Sequence, residues 1–186
     1  MNILYEQPIE EIELNGVFYP IKTDFRDWLR LLDSYEDVPP EQQVVGLLGM
    51  FKTLPPQHLI PKAIEELLEF ARAYEPQSTV QSDNGVKTTD SPLSWSFDSP
   101  FIYAGFLECY HIDLLKIDTM HWHIFLGLFQ ALPEDTPIKK RMAYRSVNLA
   151  TIKDKKERQR IRKIQQSIQI PRKPLDALQV GAFFDM

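Results

Sequence analysis

Five side chains between residues 111 and 123 have types that do proton or metal chemistry: His111, Asp113, Asp118, His121 and His123. His111 and Asp113 stand two apart and could form an acid–base pair. No nucleophile pattern accompanies them, and Asp113 has an alternative task, capping the turn between two helices. His121 and His123 are the best metal candidates. On a helix, residues two apart point roughly 200° away from each other and cannot share an ion. On a strand they could, but the surrounding apolar period is helical. His121 is therefore expected as a helix-face histidine bonded to a carbonyl or carboxylate. The chain carries no phosphate-binding glycine loop, no GxSxG, no HExxH and no CxxC. The expectation is a non-enzymatic protein with no catalytic residues, no cofactor and no metal site.

The second feature is a run of cations. Lys155, Lys156, Arg158, Arg160, Arg162 and Lys163 lie within nine residues. They read as a solvated face, a surface for an acidic protein, or a nucleic-acid contact that neutralises phosphates. The segment has no aromatic residue to stack on bases. No helix-turn-helix or zinc-finger pattern precedes it. The charge is also split along the chain. Residues 1–138 hold 22 Asp/Glu against 8 Lys/Arg, and residues 139–173 hold 13 Lys/Arg against Asp154 and Glu157. An acidic body would repel a polyanion, so protein partners stand ahead of nucleic acid. The split also suits head-to-tail self-association, which closes into rings or runs on as filaments.

Forty-four per cent hydrophobic residues in 186 are enough for one core, so a single domain is the default. Seven glycines against 14 prolines favour capped helices over a β-sandwich. The one cysteine, Cys109, excludes an internal disulfide and reads as a small buried hydrophobe. The N-terminus is acidic, without the basic start of a signal peptide, and no apolar run approaches the roughly 20 residues that span a bilayer.

These residues need a frame. Asn15-Gly16 between two apolar-alternating runs predicts a hairpin over 9–14 and 17–22, with Pro20 on an edge. Thr23 should cap a helix to about Ser34, with Phe25, Trp28, Leu29 and Leu32 inward. Pro39-Pro40 opens a second helix to about Thr53, with Val44, Leu47, Leu48 and Phe51 inward. Gly46 and Gly49 on it would permit close approach of another helix, although plain tolerance is the simpler account. Pro61 opens a third helix to about Tyr74, with Ile64, Leu67, Leu68 and Ala71 inward. Glu65, Glu66 and Glu69 lie around the rest of it, a solvated face or an acidic docking surface. Residues 76–94 are polar and aperiodic and read as a mobile loop. Lys153 to about Ile168 should be helical, docked by a thin stripe of Ile161, Ile164 and Ile168. Pro171 ends it, and residues 174–186 add short turns and an apolar end.

Residues 97–145 are the most aromatic part of the chain. Ser99-Pro100 predicts the start of a helix through Tyr110, apolar on nearly every side and so buried all round. Asp118 or Thr119 should cap a second, with Trp122, Phe125, Leu126 and Phe129 inward and Pro133 beyond its end. Thr136-Pro137 starts a third, to about Ser146. The three should form the core hairpin.

This block resembles a family of phage tail proteins, the gene product fifteen family of long-tailed phages and prophages of Gram-positive bacteria. The likeness rests on Tyr103, Phe106, Leu107, Tyr110, Ile112, Asp113 and Leu114, then on His121, Trp122, Phe125, Leu126, Leu128, Leu132, Pro133, Thr136, Tyr144 and Arg145. The Asn-Gly hairpin followed by Thr-Asp-Phe-Arg is also similar. Where this chain has His123, the family usually has a second tryptophan. The likeness weakens over 76–94 and after about Ile170.

The resemblance implies a tail assembly chaperone in the bacterial host cytoplasm that binds the tape-measure protein. The tail-tube protein or an upstream chaperone are further candidate partners, and no membrane is involved. The alternative is a nucleic-acid-binding regulator that uses the basic helix. The expected fold is mainly α: a compact helical domain of about six to seven helices with an N-terminal two-stranded β-hairpin. Residues 1–150 would form the helical domain. Residues 151–186 would form a basic helix and tail, packed on it or extending from it.

Overall fold

A computed structural model describes residues 5–35, 38–72 and 92–171. The polar stretch expected as a loop lies almost wholly outside the described residues, as do the turns and apolar end expected after Pro171. The described chain forms a hairpin and seven helices, which is the mainly α fold the sequence predicts.

β1 (Glu11–Leu14) and β2 (Val17–Pro20) pair antiparallel, Ile12 opposite Tyr19 and Leu14 opposite Val17. Both turn residues take positive φ, Asn15 at 53° and Gly16 at 82°, which is why Asn-Gly stands there. Ile12 and Leu14 are buried, while Glu11 and Glu13 point to solvent. Ile21 then pairs with Phe51, so the segment after the second helix lies along the hairpin. Lys22 N–H donates to the Met50 carbonyl and Lys52 N–H to that of Pro20. This pairing explains one correction. α2 (Pro40–Leu48) stops five residues before the expected end, because Gly49 closes it and Met50 to Lys52 take up bridge hydrogen bonds. Phe51 is buried from that bridge rather than from a helix face, and Val44 is left exposed.

α1 (Phe25–Tyr35) starts one residue later than expected. Asp24, not Thr23, takes the capping position and accepts the Arg26 N–H on Oδ1 at 2.9 Å. Thr23 is committed elsewhere, since its carbonyl accepts the Trp122 N–H. α2 packs on α1 at Gly46, where a Cβ would stand 2.9 Å from the Leu31 Cδ1. The close-approach account of Gly46 therefore prevails over plain tolerance. After a short 3₁₀ turn (Gln57–Leu59), α3 (Ile60–Arg72) buries Ala63, Leu67 and Phe70 against α2 and β1.

α4 (Ser99–Tyr110) packs between α5 (Trp122–Gln130) and α6 (Pro137–Ser146). It buries Ile102, Gly105 and Phe106 but leaves Leu107 exposed, so it is not buried all round. Two neighbours cover only part of a helix's circumference. Gly105 is where Leu132 approaches, 3.3 Å from the position of a Cβ. α6 begins and ends as its Thr-Pro start and final serine predict.

The core is aromatic. Phe125 stacks on Phe25 at 4.5 Å and on Phe106 at 5.1 Å between ring centroids, joining α1, α4 and α5. Trp28 and Trp122 are buried beside each other, and each indole N–H reaches a carbonyl, that of Lys22 and that of Ala71. No described helix is long and apolar enough to cross a membrane.

Candidate partner-docking surface and the clamp behind it

α7 (Lys155–Ser167) carries the cationic run. Asp154 caps it, accepting the Glu157 N–H at 2.7 Å, and the absence of Gly and Pro lets it continue for three turns. Its contact with the body is the thin stripe the sequence predicts: Ile161 is buried and Ile164 half-buried. It packs on α6. Gln165 Nε2 donates to the carbonyls of Tyr144 and Val147 at the end of α6, the first of which also accepts the Val147 N–H.

The expected partner-binding residues share this helix but not one state. Arg160 is tied to Glu157 by two hydrogen bonds, at 2.8 and 2.7 Å, and this pairing raises its already high pKa and lowers that of Glu157. Arg158 is half-buried. Lys155, Lys156, Arg162 and Lys163 are exposed, with no ion pair among the described residues. They form a cationic face about 12 Å long at 1.5 Å per residue.

A buried ion cluster sets the far end of this helix. Asp98, fully buried at the start of α4, receives Arg145 on both oxygens, Arg141 Nε on Oδ1 at 3.2 Å, and the Ser94 N–H on Oδ2 at 3.1 Å. Arg145 also donates Nε to the Ile168 carbonyl and Nη1 to that of Pro92. One guanidinium thus joins the segment before α4, the end of α6 and the residue after α7. Burial pushes the Asp98 carboxyl up, but the Arg145, Ser94 and Arg141 hydrogen bonds and the charge of Arg145 hold it below the ordinary value of 3.8. Ser99 was expected as the cap of α4. Asp98 occupies that position, yet its oxygens serve the arginines and Ser94. Asp98 and Arg141 escaped the sequence reading. The available signal was an isolated acid at a helix start, with Arg141 and Arg145 spaced to share one helix face.

The histidines lie elsewhere, between α3 and α5. His121, not Asp118 or Thr119, caps α5: its Nδ1 accepts the His123 N–H at 3.2 Å. That role fixes the proton on Nε2, which donates to the Ile9 carbonyl at 2.9 Å. The cap forms here because residues 120–122 are bridged to 23–25, with Asp24 paired to His121. An extended cap residue folds its ring back over the first turn, so the two imidazoles meet at 5.0 Å and do not point apart as a continuous helix would require. His123 is buried and donates Nε2–H to the Phe70 carbonyl at 2.7 Å; its Nδ1 has no partner among the described residues. Burial, and the neighbouring His121, hold its pKa below 6.5 against the opposing pull of that carbonyl. Three of the four ring nitrogens are therefore committed to the protein. Among the described residues no three His, Cys, Asp or Glu side chains gather as a metal site would require.

His111 and Asp113 do not pair. His111 closes α4 with φ 55°. Asp113 caps the following turn, accepting the Leu115 N–H, the Tyr103 hydroxyl and the Lys116 ammonium. Burial pushes the Asp113 carboxyl up, and these three partners bring it below its ordinary value. Tyr110 donates to the Leu128 carbonyl, tying α4 to α5. Tyr103, Phe106, Tyr110, Asp113, His121, Trp122, Phe125 and Arg145 thus all work inside the frame, and Tyr144 supplies the carbonyl that anchors Gln165. Cys109 is half-buried.

Against known proteins, a family model described as bacteriophage Gp15 protein matches residues 4–170. No curated protein and no solved structure matches.

Proposed function

The chain belongs to the bacteriophage Gp15 protein family, and from that premise we propose that it is a non-enzymatic protein of tail morphogenesis, a tail assembly chaperone that binds the tape-measure protein in the host cytoplasm. The tail-tube protein or an upstream chaperone are further partners within this reading. The observation that carries it is the cationic face of α7. The body fixes its orientation through Ile161, Gln165 and Arg145, while Lys155, Lys156, Arg162 and Lys163 remain unpaired among the described residues. A fixed row of desolvatable cations suits recognition of an acidic protein surface. A long tape-measure helix has apolar stripes that aggregate until covered, and transient cover by a small helical protein prevents this. Exposed Phe18, Val45, Leu54 and Leu115 are available for such contacts.

Co-expression with the tape-measure protein tests this reading. It requires that otherwise insoluble tape measure be recovered in a soluble complex with this chain. A second reading, a nucleic-acid-binding regulator, uses the same four free cations. It requires salt-dependent binding of duplex DNA, weakened when Lys155, Lys156, Arg162 and Lys163 are changed to Ala; no binding at about 50 mM salt eliminates it.

A further inference from the structure

The cationic face of α7 has a counterpart within the same molecule that it does not meet. On α3, Glu65 and Glu69 are exposed one turn apart and Glu66 is half-buried beside them. α3 packs on β1, which buries Ile12 and Leu14 and turns Glu11 and Glu13 to solvent on the opposite side of the strand. None of these five carboxylates has an ion pair among the described residues. The cations nearest on α3 are Lys62, which reaches Asn15 Oδ1 at 3.5 Å, and Arg72 at the helix end. α7 packs on α6 and on the 3₁₀ turn before it (Leu149–Thr151), whereas α3 packs on α2, β1 and the 3₁₀ turn that precedes it. Two faces of opposite sign, with no ion pair between them among the described residues, thus sit on elements whose main packing partners differ.

We propose that the α7 face of one copy docks on the Glu65–Glu69 face of α3 in a second copy, giving a head-to-tail array. This inference rests on the functional reading and refines it: the acidic surface that α7 meets is a second copy, and the exposed apolar residues are what cover the tape-measure protein. Several arguments favour a second copy as occupant. The two faces are complementary in sign, and each carries several charges within a few turns. A heterologous contact of this kind uses each face once per copy and so repeats. Intramolecular closure is excluded by the anchoring of α7, whose last turn is bonded to Tyr144, Val147 and Arg145. An array spaced by such contacts leaves Phe18, Val45, Leu54 and Leu115 outside the docked charges, free to cover one long apolar partner.

The test is sedimentation of the purified full chain in the analytical ultracentrifuge across concentration at about 50 mM and about 500 mM salt, where the Debye length falls from roughly 14 to roughly 4 Å. The expected result is association at low salt that high salt reverses. Arg162→Glu with Lys163→Glu should raise the dissociation constant at least about tenfold, and so should Glu65→Lys with Glu69→Lys. All four positions are exposed, and unchanged circular dichroism checks that both variants fold. Mixing the two variants should restore association, because each altered face then meets an altered partner of opposite sign. A monomer at low salt and high concentration overturns the proposal, as does association that both variants retain or that mixing fails to restore. Tape-measure solubilisation is read separately: its failure with self-association intact removes the chaperone reading and leaves this one standing.

Discussion

Arg145 closes on both carboxylate oxygens of Asp98, with Nη2 on Oδ1 at 2.9 Å and Nη1 on Oδ2. The pair ties the start of α4 to the end of α6, and the same guanidinium reaches past it to the carbonyl of Ile168 behind α7. Arg145 is 8% exposed and Asp98 not at all, so the pair lies out of water.

Removing one partner of a buried pair leaves the other charge stranded. Arg145→Ala should therefore destabilise the fold by about 3–5 kcal/mol. Replacing both, as Asp98→Leu with Arg145→Met, should cost less than Arg145→Ala alone. Urea unfolding of the three proteins at neutral pH checks the order.

Acid should weaken the fold in two windows. His123 has its folded pKa depressed below 6.5, so the unfolded chain takes up its proton first as pH falls, and stability declines below about 6.5. Asp98 is also depressed, below 3.8, so the stability it contributes is present above that value and is lost as pH falls through its folded pKa. Unfolding free energy measured from pH 8 to pH 3 should show both declines. His123→Gln should flatten the upper one and Asp98→Asn the lower.

His111 holds φ 55° at the end of α4, where a side chain is strained and glycine is not. Its N–H bonds the Leu107 carbonyl, and that bond survives substitution. His111→Gly should stabilise the protein by about 0.5–1 kcal/mol, seen as a higher urea midpoint with an unchanged slope.

His121 is both the cap of α5 and the tether of Ile9. His121→Ala should cost about 1–2 kcal/mol, and His121→Asn, which can still cap, should recover part of it. Thermal melts of the three proteins decide. Equal losses for Ala and Asn would assign the stabilisation to the Ile9 tether alone.

Where the physics is local, the sequence is legible. The Asn15-Gly16 turn and the Thr136-Pro137 start of α6 follow from backbone preferences of the residues themselves, and both elements form where those residues stand. Where a distant segment competes, the local signal misleads. Asp24 and His121 become caps because residues 23–25 and 120–122 bridge across the molecule. α2 ends early because Phe51 pairs with Ile21, thirty residues before it. The cationic face is visible as composition alone, but its anchoring through Gln165 and Arg145 is not, since those bonds join residues 21 and 23 apart on separate elements, beyond any helical or strand period. Asp98 was hidden for the same reason: an acid among apolar residues reveals no partner 47 residues away.

Under the proposed function, this chain keeps the tape-measure protein soluble. The direct measurement is the soluble fraction of the tape measure expressed alone and with this chain, followed by affinity purification through a tag on this chain. The expected result is a several-fold rise in the soluble fraction and co-purification of the two chains. An unchanged soluble fraction, with no tape measure retained beside well-folded bait, would contradict it.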